Sequence, residues 1–489
     1  MQLAVDRKDL RLYGDHDRVI GRFFWAGEDR ARELIDRVLI QDTQTVHDTL
    51  RQTLRDFARR HRNINQLFER HLFAALQRVP DRQQAVMAAN EETRALIGAY
   101  FTHEYSIESA AFFNPSVVPA QDQTGLQEGE LRLVMSVRAV GEGHISSIVF
   151  RHIVLEANNR VRAEKTIPFV GLAEDIHYYS YDKKKFTERT QQDPDINESM
   201  LQRLIGDLPD NFTHRQLFDR YWSIWQALPE DHADRDELNR LITVANQYYQ
   251  LSFSLDTDIS ERTLYPMIDF EQKGMEDVRF LQFTREDGST TYYGTYTAYN
   301  GYQIRPMMLE TEDFYDFNVR PIYGDAAVNK NHALFPRQIN GKYYILARID
   351  GINNYIISTD RLQVWDDAAK LMEPAYSWDT YQIGNCGAPL ETDAGWLVIT
   401  HGVGPMRRYS ISAALLDLND PTKVIGRLSE PLLAPLETER EGYVPNVVYS
   451  CGSIIHAGEL VIPYGISDEA ASFATVNLER LLAELKSSH

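Results

Sequence analysis

Cysteine is nearly absent: Cys386 and Cys451 are the two in a chain of 489 residues. Two are too few for a disulfide framework or a cysteine-rich metal cluster, and both read as buried thiols at strand entries. Long apolar runs are missing too. No stretch of about 18 apolar residues occurs, which leaves no candidate for a membrane-spanning helix. The opening MQLAVDRKDLRLYGD carries charges where a signal peptide requires an apolar core. A cytoplasmic protein with no membrane partner is therefore expected. The 14 histidines include no HExxH or comparable metal spacing, and no GxSxG motif supports a serine nucleophile. Gly402-Val403-Gly404 and Gly141-Glu142-Gly143 lack the strand-to-helix context of a nucleotide loop and read as turns. No metal or organic cofactor is expected. Basic residues are in deficit, 51 Lys and Arg against 71 Asp and Glu, and the formal charge of −20 argues against a nucleic-acid partner. Residues 1–80 run the other way, with 15 basic and 12 acidic side chains. Those charges interleave at helical spacings, as on a solvated, ion-paired helix face.

One pattern is present five times between Asn114 and Tyr464: a polar or Pro-containing entry, an apolar strand, a turn and a second apolar strand. The copies read NPSVVPAQ…GELRLVMSVR, EDVRFLQF…STTYYGTYTAY, HALFPRQINGKYYILAR, GAPLETDAGWLVITHG and PNVVYSCGSIIHAGELVIPYG. The last four start near Glu276, His332, Gly387 and Pro445, so each unit is 55 to 58 residues long. That length holds a four-stranded blade with its turns. The fold class expected is mainly β, a five-bladed β-propeller.

Two regions depart from period two. Leu50, Leu54, Phe57, His61, Ile64, Phe68, Leu72 and Ala75 step by threes and fours, which predicts one long amphipathic helix with His61 as a core histidine. A second helix is expected over Ala85–Ala99. An α-helical region over 1–105 thus precedes a propeller domain over 106–489. It either packs on the propeller or forms the interface of a homo-oligomer. Asn197–Ile205, His214–Leu228 and Arg235–Leu251 predict helices of an insertion over about 189–251, and Leu478–Leu485 a short closing helix.

Chemistry concentrates at the strand ends. Glu276-Asp277 followed by Arg279 opens the second copy, and a carboxylate converging there on a central cavity is placed to act as a general acid or base. A structural ion pair with Arg279 is the plainer reading. Arg138, Arg151, Lys330, Arg348 and His401 hold related positions in the first, third and fourth copies. Several cations in one dry cavity call for an anion, and phosphate suits arginine forks.

The segments GMEDVR, HALFPRQINGKYYILAR, IGNCGAPLETDAGWLVITHGV, SAALLDLNDPTKVIGR and VPNVVYSCGSI…VIPYGISD together resemble glycoside hydrolase family 130, which contains phosphate-dependent β-mannoside phosphorylases and related β-mannosidases. The resemblance runs from about Asn114 to Asp468, apart from the insertion. With its N-terminal helices, the chain looks like a longer, divergent member. It implies a five-bladed propeller and an inverting reaction in which one aspartate protonates the glycosidic oxygen, in phosphorylases through a hydroxyl of the mannosyl ring. Asp277 matches that aspartate in the family's E-D-P-R segment, with Val278 in place of the proline. Phosphate, the co-substrate, attacks the anomeric carbon from the opposite face, and Arg138, Arg151, Lys330 and His401 are the residues expected to hold it. Tyr464 and Asp468 match the Y-G-x-x-D segment and are expected at the sugar, with Glu276, Arg279, Asn331, Arg348 and Tyr409 around the pocket. The expected reaction is inverting phosphorolysis of β-mannooligosaccharides to α-mannose 1-phosphate. A hydrolase acting on the same linkages instead needs a second carboxylate about 6.5–9.5 Å from the acid; Glu142 is the candidate base. A non-catalytic sugar-binding propeller is the third reading.

Overall fold

The computed structural model describes residues 3–175, 180–191, 196–229 and 233–487. It is mainly β. Five antiparallel meanders follow one another. The first comprises Ala111–Pro119, Leu131–Val140, Ser146–Leu155 and Val161–Ala163, and the second Gly274–Thr284, Thr290–Tyr299, Ile304–Thr311 and Asp316–Pro321. The third comprises Lys330–Leu334, Tyr343–Arg348, Asn354–Thr359 and Ala368–Met372. The fourth is built from Gln382–Asn385, Gly395–Val403, Tyr409–Leu416 and Val424–Arg427. In the fifth, Val448–Tyr449, Glu459–Ile466 and Ala470–Asn477 are completed by Val5–Arg7 from the start of the chain. The first and second meanders are joined by a single bridge between Ser146 and Gly274, and the strand Arg262–Leu264 pairs with Ser146–Leu155 of the first. Gly274, at φ 138°, makes that approach possible, because a Cβ there would lie 2.6 Å from the Ser146 backbone nitrogen.

The middle strands are apolar on both faces because each sheet is covered on both. In the first sheet, Leu133, Met135 and Val137 pack with Val461 and Phe473 of the fifth, while Val134, Ile148 and Phe150 pack with Val278 and Phe280 of the second. Leu281 and Met308 meet Leu334 and Ile345, Phe335 and Leu346 meet Trp396 and Val398, and Leu397 and Ile399 meet Leu460 and Ile462. Runs such as LRLVMSV and GWLVIT are therefore nearly continuous rather than alternating.

The first strands of the first three sheets share a second feature. Register breaks between Phe113 and Ser116, Glu276 and Arg279, and Lys330 and Ala333 mark β-bulges. Within them Asn114, Asp277 and Asn331 take φ values of 55°, 54° and 70°. Asn and Asp tolerate this left-handed region best among residues with a side chain, and a bulge re-aims the side chain it carries.

Outside the sheets several expectations need correction. The beginning of the chain is not helical: Val5–Arg7 and Leu12–Tyr13 pair with the last strand, so the fifth sheet is closed by residues from the opposite end of the chain. Helices then fill Glu28–Leu39, Thr43–Phe57, Ile64–Arg78, Gln83–Ala88 and Glu91–Tyr100. The single long helix is broken at Ala58–Arg60, and His61 is extended (φ −129°, ψ 133°). At the break Glu104 binds both Arg60, at 2.7 Å, and His61 Nε2, at 3.0 Å. The helix expected over Ala85–Ala99 is likewise split, where the Asn90 side chain caps a new helix by accepting from the Thr93 N–H.

The insertion carries helices at Lys183–Thr190, Glu198–Ile205, His214–Ala227 and Ala233–Asn246, around its own core of Leu201, Leu204, Leu217, Ile224 and Leu241. Parts of the expected 189–251 span, at 192–195 and 230–232, lie outside the described residues. Its last helix stops at Asn246, and Tyr249–Ser252 becomes a strand on the outer edge of the second sheet. The closing helix runs from Leu478 to Ser487. No helix among the described residues is long and apolar enough to cross a membrane.

Candidate active site

The first strands of all five sheets contribute to one cleft of about 470 Å³, through Asn114, Asp277, Asn331, Gln382 and Tyr449. The ends of second strands add Arg138, Arg348 and His401, and Asp468 enters from the turn after Glu459–Ile466. The equivalence of strand ends in the repeat thus brings residues more than 300 positions apart into one site.

Asp277 stands at the centre of a charged floor. Its Oδ1 accepts from Asn114 Nδ2 at 2.7 Å and from Arg138 at 3.1 Å. Glu276 lies between Arg138, at 2.8 Å, and Lys330, at 2.7 Å. Arg279 donates to the backbone carbonyl of Asp277 and to the Tyr449 hydroxyl, both at 2.8 Å, and Asn331 Nδ2 donates to the same hydroxyl at 2.7 Å. Burial pushes the Asp277 carboxyl up, but Arg138, Arg279 and Lys330 outweigh it and hold the group at about 2. Asp468 responds oppositely. Burial pushes it up to about 7, with Arg138 drawing it down and the charge of Asp277 adding to the rise. Two carboxyl groups of one cleft are thereby driven apart, one ionised and one able to carry a proton near neutrality.

Arg348 differs from the other cations of the floor. Arg138 and Lys330 are neutralised by Glu276 and Asp277, whereas no carboxylate lies within ion-pair distance of Arg348 among the described residues. Its guanidinium is 3.3 Å from His401 Nε2. Burial, then Arg348 and Arg279, push His401 well below its ordinary value, so the imidazole is neutral at pH 7. Arginine can only donate, so Nε2 accepts and the His401 proton sits on Nδ1. The buried Nε of Arg348 has no acceptor among the described residues, whereas the His401 ring has the Asn385 backbone beside it. The orphaned Nε and the uncompensated charge of Arg348 form a place suited to an anion.

Several expected site residues are elsewhere. Arg151 faces Met135 in the middle of the first sheet, not its cleft end, and forms a buried pair with Glu108 at 2.7 Å. Tyr464 is buried between the fourth and fifth sheets, where its hydroxyl donates to Glu439 at 2.8 Å. Glu142 lies on an exposed turn and does not line the cleft. Glu276 and Arg279 support the floor from beneath, and His401 reaches the cleft without a charge. Asn331, Arg348, Tyr409 and Asp468 do line it. Sequence reasoning passed over Asn114, although FNPS and EDVR align in the repeat and place Asn114 where Asp277 stands in the next copy. Met406, Arg407 and Val444, at the rim, carried no comparable signal.

A family model described as beta-1,4-mannooligosaccharide phosphorylase, that of glycoside hydrolase family 130, matches residues 254–487. Beta-1,2-mannobiose phosphorylase of Listeria innocua is 32% identical over 232 residues, 46% of this chain and 63% of that protein. The 1,2-beta-oligomannan phosphorylase of a Thermoanaerobacter species is 34% identical over 214 residues, 43% of this chain and 70% of its own length. The solved Listeria innocua enzyme, in complex with beta-1,2-mannobiose, aligns with 78% of this chain and 93% of its own at 23% identity and a TM-score of 0.46. The extent and identity of the Thermoanaerobacter match, together with the family model, mean that the chain belongs to glycoside hydrolase family 130.

Proposed function

We propose that the five meanders are the blades of a β-propeller and that the cleft at their strand ends performs inverting phosphorolysis of β-mannosides. The packing of each sheet on the next, and of the fifth on the first, supports the propeller reading. In this scheme residues 106–489 form the catalytic unit, with Val5–Arg7 closing its last blade, and the helical region over 1–105 is an appendage. The names of the relatives supply the substrate class, a β-linked mannooligosaccharide. The charge pattern favours phosphate as nucleophile, and the single observation that carries this is Arg348, a floor cation that no carboxylate neutralises among the described residues.

Phosphate at Arg348, beside the neutral His401, attacks the anomeric carbon. The bond from that carbon to the glycosidic oxygen breaks, and a proton from Asp277, passed through a hydroxyl of the mannosyl ring, ends on the departing oxygen. The products are α-mannose 1-phosphate and the chain shortened by one sugar. Arg138 and Lys330 keep Glu276 and Asp277 in position, and Asn331, Tyr409 and Asp468 border the sugar. The hydrolytic alternative loses Glu142 as its base. It would have to use Asp468, the second carboxylate lining the cleft, in its ionised form.

Incubation of the protein with a β-mannooligosaccharide is expected to release α-mannose 1-phosphate with added phosphate and no sugar without it. Equal release of free mannose in phosphate-free buffer rejects phosphorolysis. Hydrogen bonds to charged groups are worth about 1.5–3 kcal/mol, so Arg348→Met is expected to raise the KM for phosphate about ten- to a hundredfold. An unchanged phosphate KM in that variant removes Arg348 from the anion site.

A further inference from the structure

The turn Pro405–Arg407 joins the second and third strands of the fourth sheet and reaches the mouth of the cleft. The first sheet makes the same turn at Glu142–His144. There the two left-handed positions are Gly143 (φ 70°) and His144 (φ 59°), whereas in the fourth sheet they are Met406 (φ 57°) and Arg407 (φ 54°). Glycine takes this conformation freely and methionine does so only under strain. Packing within the chain does not explain the choice, since Met406 is 91% exposed. Its side chain nevertheless lines the cleft, and so does Val444, which is 41% exposed. The two edges are tied together where the Tyr409 N–H donates to the Asn446 carbonyl at 3.1 Å. The turn itself is braced. Arg407 lies over the rings of Tyr381 and Tyr409, 5.7 and 5.9 Å from their centroids, and donates to the Tyr409 hydroxyl at 3.1 Å, while Tyr409 stacks on His401. A strained, braced turn therefore holds a bare thioether side chain over a cleft whose floor carries the charged groups around Asp277.

We propose that Met406, with Val444 beside it, is the apolar contact for the leaving-group sugar and sets how tightly that sugar is held. This rests on the phosphorolysis reading. The ring whose bond is broken must lie on the floor beside Asp277 and Arg348, so the ring at the mouth is the one that departs. A pyranose presents a C–H face, and a flexible, polarisable methionine side chain adapts to such a face.

The reverse reaction, from α-mannose 1-phosphate and a mannose or mannobiose acceptor, separates the two sugars. Met406→Gly is expected to raise the acceptor KM about tenfold, a loss that partial burial of one methionine accounts for. The KM for α-mannose 1-phosphate should stay as in wild type, and the melting temperature should be unchanged or higher because the turn is relaxed. Met406→Ala, which keeps the left-handed strain, should raise the acceptor KM equally without the gain in melting temperature. An acceptor KM within twofold of wild type in both variants overturns the proposal. Equal increases in both KM values with a lower melting temperature overturn it too, since they mark a structural turn. Failure of wild type to use phosphate in either direction is a failure of the parent reading. Calorimetric titration with mannobiose then still tests the contact, and equal affinity for wild type and Met406→Gly rejects it.

Discussion

Asp277→Asn is expected to lower kcat on β-mannooligosaccharides by about 10²–10⁴-fold, the usual worth of a positioned general acid. Asparagine preserves shape and can still face Asn114 and Arg138, so the fold has no steric reason to fail. The loss should depend on the leaving group. On a β-mannoside whose leaving group is a nitrophenolate, which departs without a proton, most of the rate should survive; a loss of the same size on both substrates would show that Asp277 organises the floor and does not deliver a proton. The electrostatics add a second readout. In the ligand-free cleft three cations hold Asp277 at about 2, far below the pH at which an acid is useful. Phosphate at Arg348 introduces about −1.5 to −2 charges beside them, which opposes their field and lifts the carboxyl toward protonation. The alkaline limb of the pH profile, on which the general acid loses its proton, should therefore lie higher for kcat, which reports the loaded enzyme, than for kcat/KM, which reports the free one. Coincident limbs would mean that phosphate does not act on Asp277.

What could be read from the chain divides along the range of the interactions. The five strand pairs were legible because apolar strand, turn and apolar strand are local signals repeated at one spacing. Placement of Asp277 in the cleft was legible for the same reason, since a strand-end residue in one copy has equivalents in the others. Arg151 was misread because its height in the sheet is set by register: it faces Met135, whereas Arg138 faces Ile148 near the cleft. Periodicity runs straight through residues 58–61, where the partner of Arg60 and His61 is Glu104, more than 40 positions away. Val5–Arg7 is too short and polar to announce a strand, and its partner lies at the other end of the chain. The phosphate group of residues needed revision on similar grounds. Sequence counts cations, but only the fold shows that Arg138 and Lys330 are already paired with Glu276, that His401 is neutral, and that Arg348 is left uncompensated.

Asp468→Asn is expected to stabilise the protein at pH 8 while impairing its activity. Asp468 lines the cleft at φ 59°, and no hydrogen bond to its carboxylate is found among the described residues. Burial without such a donor is what raises it to about 7 from an ordinary 3.8. Between those values the folded protein keeps a proton that the unfolded chain has released. The folded state binds more protons there, so stability falls as pH rises from about 4 to about 7 and levels off above. The gap is worth up to about 4 kcal/mol at about 1.4 kcal/mol per pH unit. Asparagine resembles the protonated acid and carries no charge at any pH. Its advantage in denaturant midpoint should be absent at pH 4, grow through pH 5–7 and be constant at pH 8. A midpoint difference independent of pH would show that Asp468 is not the group destabilised by burial. The same variant should hold the mannoside more weakly, because a group kept at a cost in stability inside a cleft is retained for what it does to the ligand. A variant both more stable and fully active would remove Asp468 from the sugar site and leave its burial without a functional reason.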